Sequence, residues 1–118
     1  MYITERVVDQ VVILSLIGKF VFDSRKVFPQ ALQEAKKKFP QKIILNLEGL
    51  TYLDSAGLGL LAISFEQAKL DNIALCLVNP VGAVRGILNL TQFPQIMPVY
   101  ETEEQALCLA PSMLASIT

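Results

Sequence analysis

The residues best suited to do chemistry form a short cluster, Asp54-Ser55 followed by Gly57 and Gly59. The cluster follows an apolar, strand-like run at 42–47 and stands where a helix-like run begins. A serine at a helix start can accept a backbone N–H as an N-cap, which stabilises the helix by about 1 kcal/mol. It can also carry a phosphate, because the free amides of a helix N-terminus tolerate a charge of about −1.5 to −2. The residue types alone leave both uses of Ser55 open.

Catalytic uses of the same cluster are disfavoured. The chain contains no histidine, which removes the usual general base, the Ser-His and Cys-His nucleophile pairs and most zinc sites. Gly57 and Gly59 lack the third glycine of a dinucleotide fingerprint, and no segment resembles a P-loop. The segment 54–57 is not a nucleophile elbow, and the acidic residues do not cluster at metal-ligand spacing. We therefore expect no enzyme activity, no cofactor and no metal.

Composition bounds the class of protein. With 118 residues, 53% of them hydrophobic, we expect one domain spanning 1–118. The net charge of −1, without a basic stripe, predicts no nucleic-acid partner. The start of the chain lacks the pattern of a signal peptide, and the longest uncharged stretches, 55–65 and 105–118, are shorter than the roughly 20 residues that span a membrane. We therefore expect a cytoplasmic protein without membrane insertion, in which Cys76 and Cys108 are reduced core residues.

Apolar periodicity predicts an α/β fold with a mostly parallel mixed sheet of four to five strands and about four helices. The predicted order is β-β-α-β-α-β-α-β-α. Gly18 is expected to end the second strand, Asp23 or Ser24 to cap the first helix, and Thr102 to open a capping box with Gln105. The predicted strands lie at 2–8, 11–17, 42–47, 73–78 and 95–100, the helices at 27–39, 55–70, 81–90 and 102–110, and loops at 19–23 and 48–54.

The helix at 55–70 has an unusual outward face. On a helical wheel, the stripe predicted to face the sheet consists of Leu58, Leu61, Ala62, Phe65 and Ala68. The opposite side holds large aliphatic residues and little charge: Leu60, Ile63 and Leu70, with Ala56, Gly59 and Gln67. Such a face is typical of a docking surface for another protein. The alternative is that another helix of the same domain covers Leu60 and Ile63.

These segments resemble the STAS domain family, which includes bacterial anti-sigma factor antagonists and the cytosolic domains of sulfate transporters. The resemblance is carried by Ile44-Leu45-Asn46-Leu47, by Leu53-Asp54-Ser55-Ala56-Gly57-Leu58-Gly59 and by the Leu77-Val78-Asn79-Pro80 turn, and it covers nearly the whole chain. It implies the STAS fold and a phosphorylation switch in signal transduction and transcription regulation.

The resemblance assigns the switch to Ser55, which matches the serine that a cognate anti-sigma serine kinase phosphorylates in the antagonists. The unphosphorylated form binds that kinase and frees its sigma factor; phosphorylation abolishes binding, and a serine phosphatase restores it. We expect a monomer or weak dimer. Together with the outward helix face, the resemblance predicts the following partner-binding residues: Asp23, Asp54, Ser55, Ala56, Gly57, Gly59, Leu60 and Ile63.

One segment departs from the antagonists, which usually have an acidic residue and then an aliphatic residue and an aspartate after the glycine that ends the second strand. Here Gly18 is followed by Lys19-Phe20-Val21, and the nearest acid is Asp23. Because this loop contributes to partner contact in the family, the change affects which partner is expected. The alternative is a constitutive interaction subunit of a membrane transport complex, in which Ser55 only caps its helix.

Overall fold

The computed structural model describes residues 1–108, which form six strands and four helices. The strands are β1 (Tyr2–Val8), β2 (Val11–Phe20), β3 (Lys42–Asn46), β4 (Leu50–Leu53), β5 (Ala74–Val78) and β6 (Val99–Tyr100). The helices are α1 (Val27–Lys36), α2 (Ser55–Leu70), α3 (Gly82–Leu90) and α4 (Glu103–Cys108), with 3-10 turns at Phe22–Arg25 and Phe93–Gln95. The predicted α/β class and mostly parallel mixed sheet are confirmed.

The sheet is built around its apolar central strands. Its order is β1-β2-β3-β5-β6, with β1 antiparallel to β2 and the other neighbours parallel. β3 and β5 are buried along most of their length, as expected of parallel strands covered on both faces. Leu14 on β2 lies opposite Leu45 on β3, and Leu45 in turn lies opposite Leu77 on β5. This register places the three side chains on one face of the sheet.

The two faces of the sheet are covered unequally. The larger core lies under α1, α2 and α3, which contribute Phe28, Leu61 and Val84 respectively. The smaller cluster on the opposite face includes Ile44 and Cys76 and receives Ala106 from α4. Lys42 is buried on β3, and its Nζ donates a hydrogen bond to the carbonyl oxygen of Ala106, which fastens α4 over this face.

The prediction that Gly18 ends β2 is wrong. Gly18 has a φ of +104°, a conformation that glycine adopts readily, and the strand continues beyond it to Phe20. β2 pairs in parallel with β3 as far as Ser15 and with β4 from Gly18 onward, and the register of the second pairing shifts between Gly18 and Lys19. The predicted loop at 48–54 therefore contains a strand, β4, which brings the start of α2 against the end of β2.

Several predicted boundaries also differ. The last strand is limited to Val99–Tyr100, because Phe93–Gln95 forms a 3-10 turn before it. Neither Asp23 nor Ser24 caps α1, whose N-cap position is Lys26 without a side-chain hydrogen bond. Asp23 and Ser24 both lie instead within the Phe22–Arg25 turn, which precedes α1.

The start of α4 has one of the two hydrogen bonds of the predicted capping box. Thr102 accepts a hydrogen bond from the Gln105 amide as predicted, whereas the Gln105 side chain accepts one from the amide of Glu101. The predicted extension of this helix to residue 110 and the side chain of Cys108 lie outside the described residues.

Within residues 1–108, no helix has the length and apolar character needed to cross a bilayer.

Candidate phosphorylation and partner-binding site

Asp54 organises the junction between β4 and α2. Its Oδ1 accepts a hydrogen bond from the Gly57 amide at 2.8 Å, which makes Asp54 the N-cap of α2. Its Oδ2 accepts one from the Phe22 amide at 3.3 Å, and its own amide donates to the Phe20 carbonyl at 3.2 Å. One carboxylate thus caps the helix and fixes the Phe22–Arg25 turn beside it.

Ser55 is consequently the first residue of α2 and not its cap. Its side chain is exposed, and its hydroxyl makes no hydrogen bond within residues 1–108. The first amides of a helix have no partner inside the helix, so the positive end of the α2 dipole lies beside this hydroxyl. A phosphate on Ser55 would meet those amides without displacing the cap that holds the helix start.

The two glycines of the cluster have different roles. A Cβ built on Gly57 would lie 2.7 Å from both the Phe20 carbonyl oxygen and Leu53 Cδ1, so Gly57 permits α2 to approach the end of β2. Gly57 is buried in the free chain, and its predicted contact with a partner stays a prediction. Gly59 is exposed, and a Cβ placed on it would meet no atom of residues 1–108 within 4 Å, which leaves room there for a partner backbone.

A surface groove of about 260 Å³ runs between the Phe22–Arg25 turn and the start of α2. We call it the Phe22 groove; it is lined by Val21, Phe22, Arg25, Ser55, Ala56, Gly59, Leu60 and Ile63. It brings together five of the predicted partner-binding residues. Asp54 lies behind the groove through its bonds to the turn, and Asp23 is exposed on the turn without lining the groove.

Three groove residues, Val21, Phe22 and Arg25, were not among the predicted contacts. The Phe22 ring is 59% exposed, and the Arg25 guanidinium lies over it at 4.0 Å from the ring centroid. Buried Ser24 fixes the turn, because its Oγ donates to the Lys19 carbonyl at 3.1 Å and accepts from the Val21 amide at 3.3 Å. The sequence signal that could have identified Phe22 was its position in a predicted loop, directly before Asp23.

The α2 face differs from the helical-wheel prediction. Its fully buried residues are Gly57, Leu61, Ser64 and Ala68, while the predicted inward residues Leu58, Ala62 and Phe65 are half-buried. On the outer side, Ile63 is 56% exposed and Leu70 84% exposed, as predicted. Leu60 is half-buried against the core, so the alternative of internal cover holds in part for Leu60.

A second groove, of about 190 Å³, continues along α2 toward α1 and shares Leu60 and Ile63 with the first. It is lined by Pro29, Leu32, Gln33, Lys36, Leu60, Ile63, Ser64 and Gln67. The exposed apolar surface of α2 therefore extends from Ser55 for about three turns of the helix. A surface of this shape suits an apolar segment of another protein.

The groups with shifted pKa values lie with α4 on the other face of the sheet. Burial raises the pKa of the Cys76 thiol to about 11, although nearby Lys42 opposes the shift. Burial, followed by the nearby Cys76, raises the pKa of Tyr100. Burial alone would raise the pKa of Glu103, but hydrogen bonds from Arg6 and Asn46 and the charge of Arg6 outweigh it and lower that pKa.

The sheet with one antiparallel edge strand, the helix capped by an aspartate and the adjacent exposed serine together define a small α/β domain with a candidate site at the start of α2. The sequence pattern of the STAS domain family matches residues 2–106. The chain belongs to the STAS domain family.

Known relatives share most of the chain. The anti-sigma F factor antagonist of Paenibacillus polymyxa is 30% identical over 100 residues, which cover 82% of this chain and 84% of the relative. The structure of an anti-sigma factor antagonist from Mycobacterium paratuberculosis has a TM-score of 0.80 at 23% identity, covering 92% of each chain. That of the antagonist SpoIIAA in its unphosphorylated form has a TM-score of 0.68 at 25% identity, covering 90% of this chain and 93% of the other.

Two further structures have the same fold. The Bacillus cell fate determinant SpoIIAA in its phosphorylated form has a TM-score of 0.60 at 23% identity, covering 89% of this chain and 96% of the other. A sulfate transporter family protein from Wolinella succinogenes has a TM-score of 0.75 at 21% identity, covering 93% and 92% of the two chains. At these identities the likeness concerns the fold.

Proposed function

We propose that this chain is an anti-sigma factor antagonist that binds a cognate anti-sigma serine kinase through the Phe22 groove and is released when Ser55 is phosphorylated. The observation that carries the proposal is the position of Ser55. Its hydroxyl is exposed at the edge of the groove and makes no hydrogen bond to any described residue, because the neighbouring Asp54 already caps α2. In support, the relative from Paenibacillus polymyxa is an anti-sigma F factor antagonist, and SpoIIAA is known in phosphorylated and unphosphorylated forms.

The physical basis of the switch is electrostatic. A phosphate adds a charge of about −1.5 to −2 to the edge of an apolar groove. The free amides of α2 stabilise this charge in the isolated domain. A partner that closes over the groove would remove water from the phosphate, which costs free energy unless the partner supplies cations. Binding is therefore opposed while the fold persists.

In this proposal the chain acts by binding in the cytoplasm and performs no catalysis. The kinase adds the phosphate, a serine phosphatase removes it, and the sigma factor is freed while the kinase is held by this chain. No cofactor or metal enters the scheme.

The proposal is tested by capture from native cells with wild-type protein, Ser55→Ala and Ser55→Asp as baits, read by mass spectrometry. Wild type and Ser55→Ala should retain a serine kinase, which Ser55→Asp should lose. Incubation of the captured complex with ATP should add one phosphate to wild type and none to Ser55→Ala. Thr4→Asp is the matched control, since it places the same charge at an exposed position on the edge strand β1. Equal retention of the kinase by Ser55→Asp and wild type would refute the switch.

One observation favours a second candidate, a constitutive subunit of a membrane transport complex. Val21 lines the groove at the position where antagonists usually have an aspartate, which makes the groove more apolar and better suited to a permanent interface. In that case the Ser55→Asp bait should capture a transporter subunit at a fixed ratio, as wild type does, and neither bait should capture a kinase. Stoichiometric purification from the native host distinguishes the two candidates.

A further inference from the structure

Arg25 is placed to act on the chemistry of Ser55. Both residues line the Phe22 groove, and the other lining residues are uncharged: Val21, Phe22, Ala56, Gly59, Leu60 and Ile63. Within residues 1–108, Arg25 makes no ion pair with a carboxylate. Its guanidinium is held by the Phe22 ring at 4.0 Å and by a long hydrogen bond of 3.4 Å from Nη1 to the Phe22 carbonyl.

These restraints on Arg25 are weak. An exposed cation–π contact stabilises little, and a neutral acceptor at 3.4 Å is near the limit of a hydrogen bond. A guanidinium binds a phosphate through two parallel N–H donors, and such charge-assisted bonds are roughly twice as strong as neutral ones. A phosphate within reach would therefore displace the carbonyl as the acceptor for Arg25.

We propose that Arg25 receives the phosphate of phosphorylated Ser55 within the same chain, and that the resulting ion pair fills the Phe22 groove. This inference rests on the proposed function in so far as Ser55 is the phosphorylated residue. It adds a mechanism, because the partner is excluded by an internal pair that occupies its binding groove. The phosphate then needs no repulsive group on the partner.

The remaining charges around the groove do not replace Arg25. The Asp54 carboxylate is bound by the amides of Gly57 and Phe22 and opposes a phosphate. Asp23 on the turn is exposed and also opposes it, while Lys19 and Lys26 flank the turn without lining the groove. Arg25 is thus the one cation among the residues that line the groove together with Ser55.

The test uses protein with phosphoserine incorporated at position 55 during synthesis, and it measures the second pKa of the phosphate by ³¹P NMR. The ordinary value is about 6. Arg25→Gln should raise this pKa relative to wild type by about 0.5 unit or more, because a close cation favours the doubly charged phosphate. Arg25→Lys should give an intermediate value, since a lysine supplies charge without the planar fork. Lys26→Gln is the matched control for charge and should leave the pKa nearly unchanged.

The inference is overturned if Arg25→Gln leaves the pKa unchanged, or if Arg25→Gln and Lys26→Gln raise it equally, as a long-range effect of charge would. All variants alter exposed side chains, and their amide spectra report whether the fold is retained. Because the phosphate is installed synthetically, the measurement needs no kinase. If Arg25→Gln leaves the pKa unchanged while phosphorylation still releases the kinase, this inference fails and the proposed function stands. If no kinase acts on Ser55 while Arg25→Gln still raises the pKa, the proposed function fails and the pairing of the synthetic phosphate with Arg25 stands.

Discussion

The two glycines near the start of α2 allow a matched test of how the site is assembled. Gly57→Ala would place a methyl group 2.7 Å from the Phe20 carbonyl oxygen and Leu53 Cδ1, and 3.0 Å from Phe20 Cδ1. Because one of these atoms belongs to the backbone, the contact cannot be relieved by a side-chain rotation alone. Overpacking of this kind costs about 1–3 kcal/mol, while the helix propensity of alanine returns up to about 1 kcal/mol.

Gly59→Ala makes the same chemical change two residues further along α2, where no atom of the described part of the chain lies within 4 Å of the added methyl group. It should stabilise the protein by about 0.5–1 kcal/mol, because alanine is the better helix former. Gly57→Ala should be less stable than wild type by about 1 kcal/mol, because the cost of overpacking exceeds the gain in helix propensity. The two variants should therefore move the midpoint of unfolding in opposite directions.

Urea denaturation of wild type and both variants, at constant m-value, measures these changes in the free energy of unfolding. If Gly57→Ala were as stable as Gly59→Ala, α2 would not approach the end of β2 as closely as the structure describes. The account of Gly57 as the residue that permits the Asp54 connection would then be incorrect.

Three further predictions concern the cap, a strained loop residue and a titrating ion pair. Asp54→Ala should cost about 1–2 kcal/mol of stability by thermal denaturation, because two amides lose their acceptor; Asp54→Asn should recover part of it, and Asp23→Ala, at an exposed position, should stay within about 0.5 kcal/mol of wild type. Phe39→Gly should raise the melting temperature, because Phe39 has a φ of +51° and is 90% exposed, so that glycine relieves about 1 kcal/mol of backbone strain and loses little burial; a fall would contradict this. The pKa of Glu103 is lowered in the fold, so its pairing with Arg6 stabilises the fold at pH values above the unfolded pKa of 4.5. This stabilisation is lost as the pH falls through the lower folded pKa, and Glu103→Gln should therefore make the loss of stability below pH 4.5 less steep. An unchanged dependence of stability on pH below 4.5 would refute the assignment.

The elements that depend on local pattern could be predicted from the sequence. The hairpin of β1 and β2 follows from two β-branched runs separated by a short turn, and α2 has the predicted bounds of 55–70. β4 was missed because a four-residue strand following Gly49 carries too little pattern. Its pairing with the end of β2 is a contact between segments about thirty residues apart, which periodicity does not report.

In the candidate site, too, the features set by local sequence could be predicted, and those set by contacts between distant segments could not. The exposed Ser55 and Ile63 were identifiable because their residue types and spacing depend on α2 alone. The choice between Asp54 and Ser55 as the cap could not be made from residue type, since both are good caps and the hydrogen bond from Phe22 is not local. The burial of Gly57 and Ser64 on α2 was not predicted, because hydropathy gives small residues little weight, whereas close helix packing favours them.

The phosphorylation switch is tested most directly by the affinity of the captured kinase for two forms of this protein. The dissociation constant should be measured for wild-type protein and for protein with synthetic phosphoserine at position 55, at matched ionic strength. Burial of the phosphate against the partner should weaken binding by a factor of at least about 30, equivalent to about 2 kcal/mol. Equal affinity of the two forms would contradict the switch at Ser55.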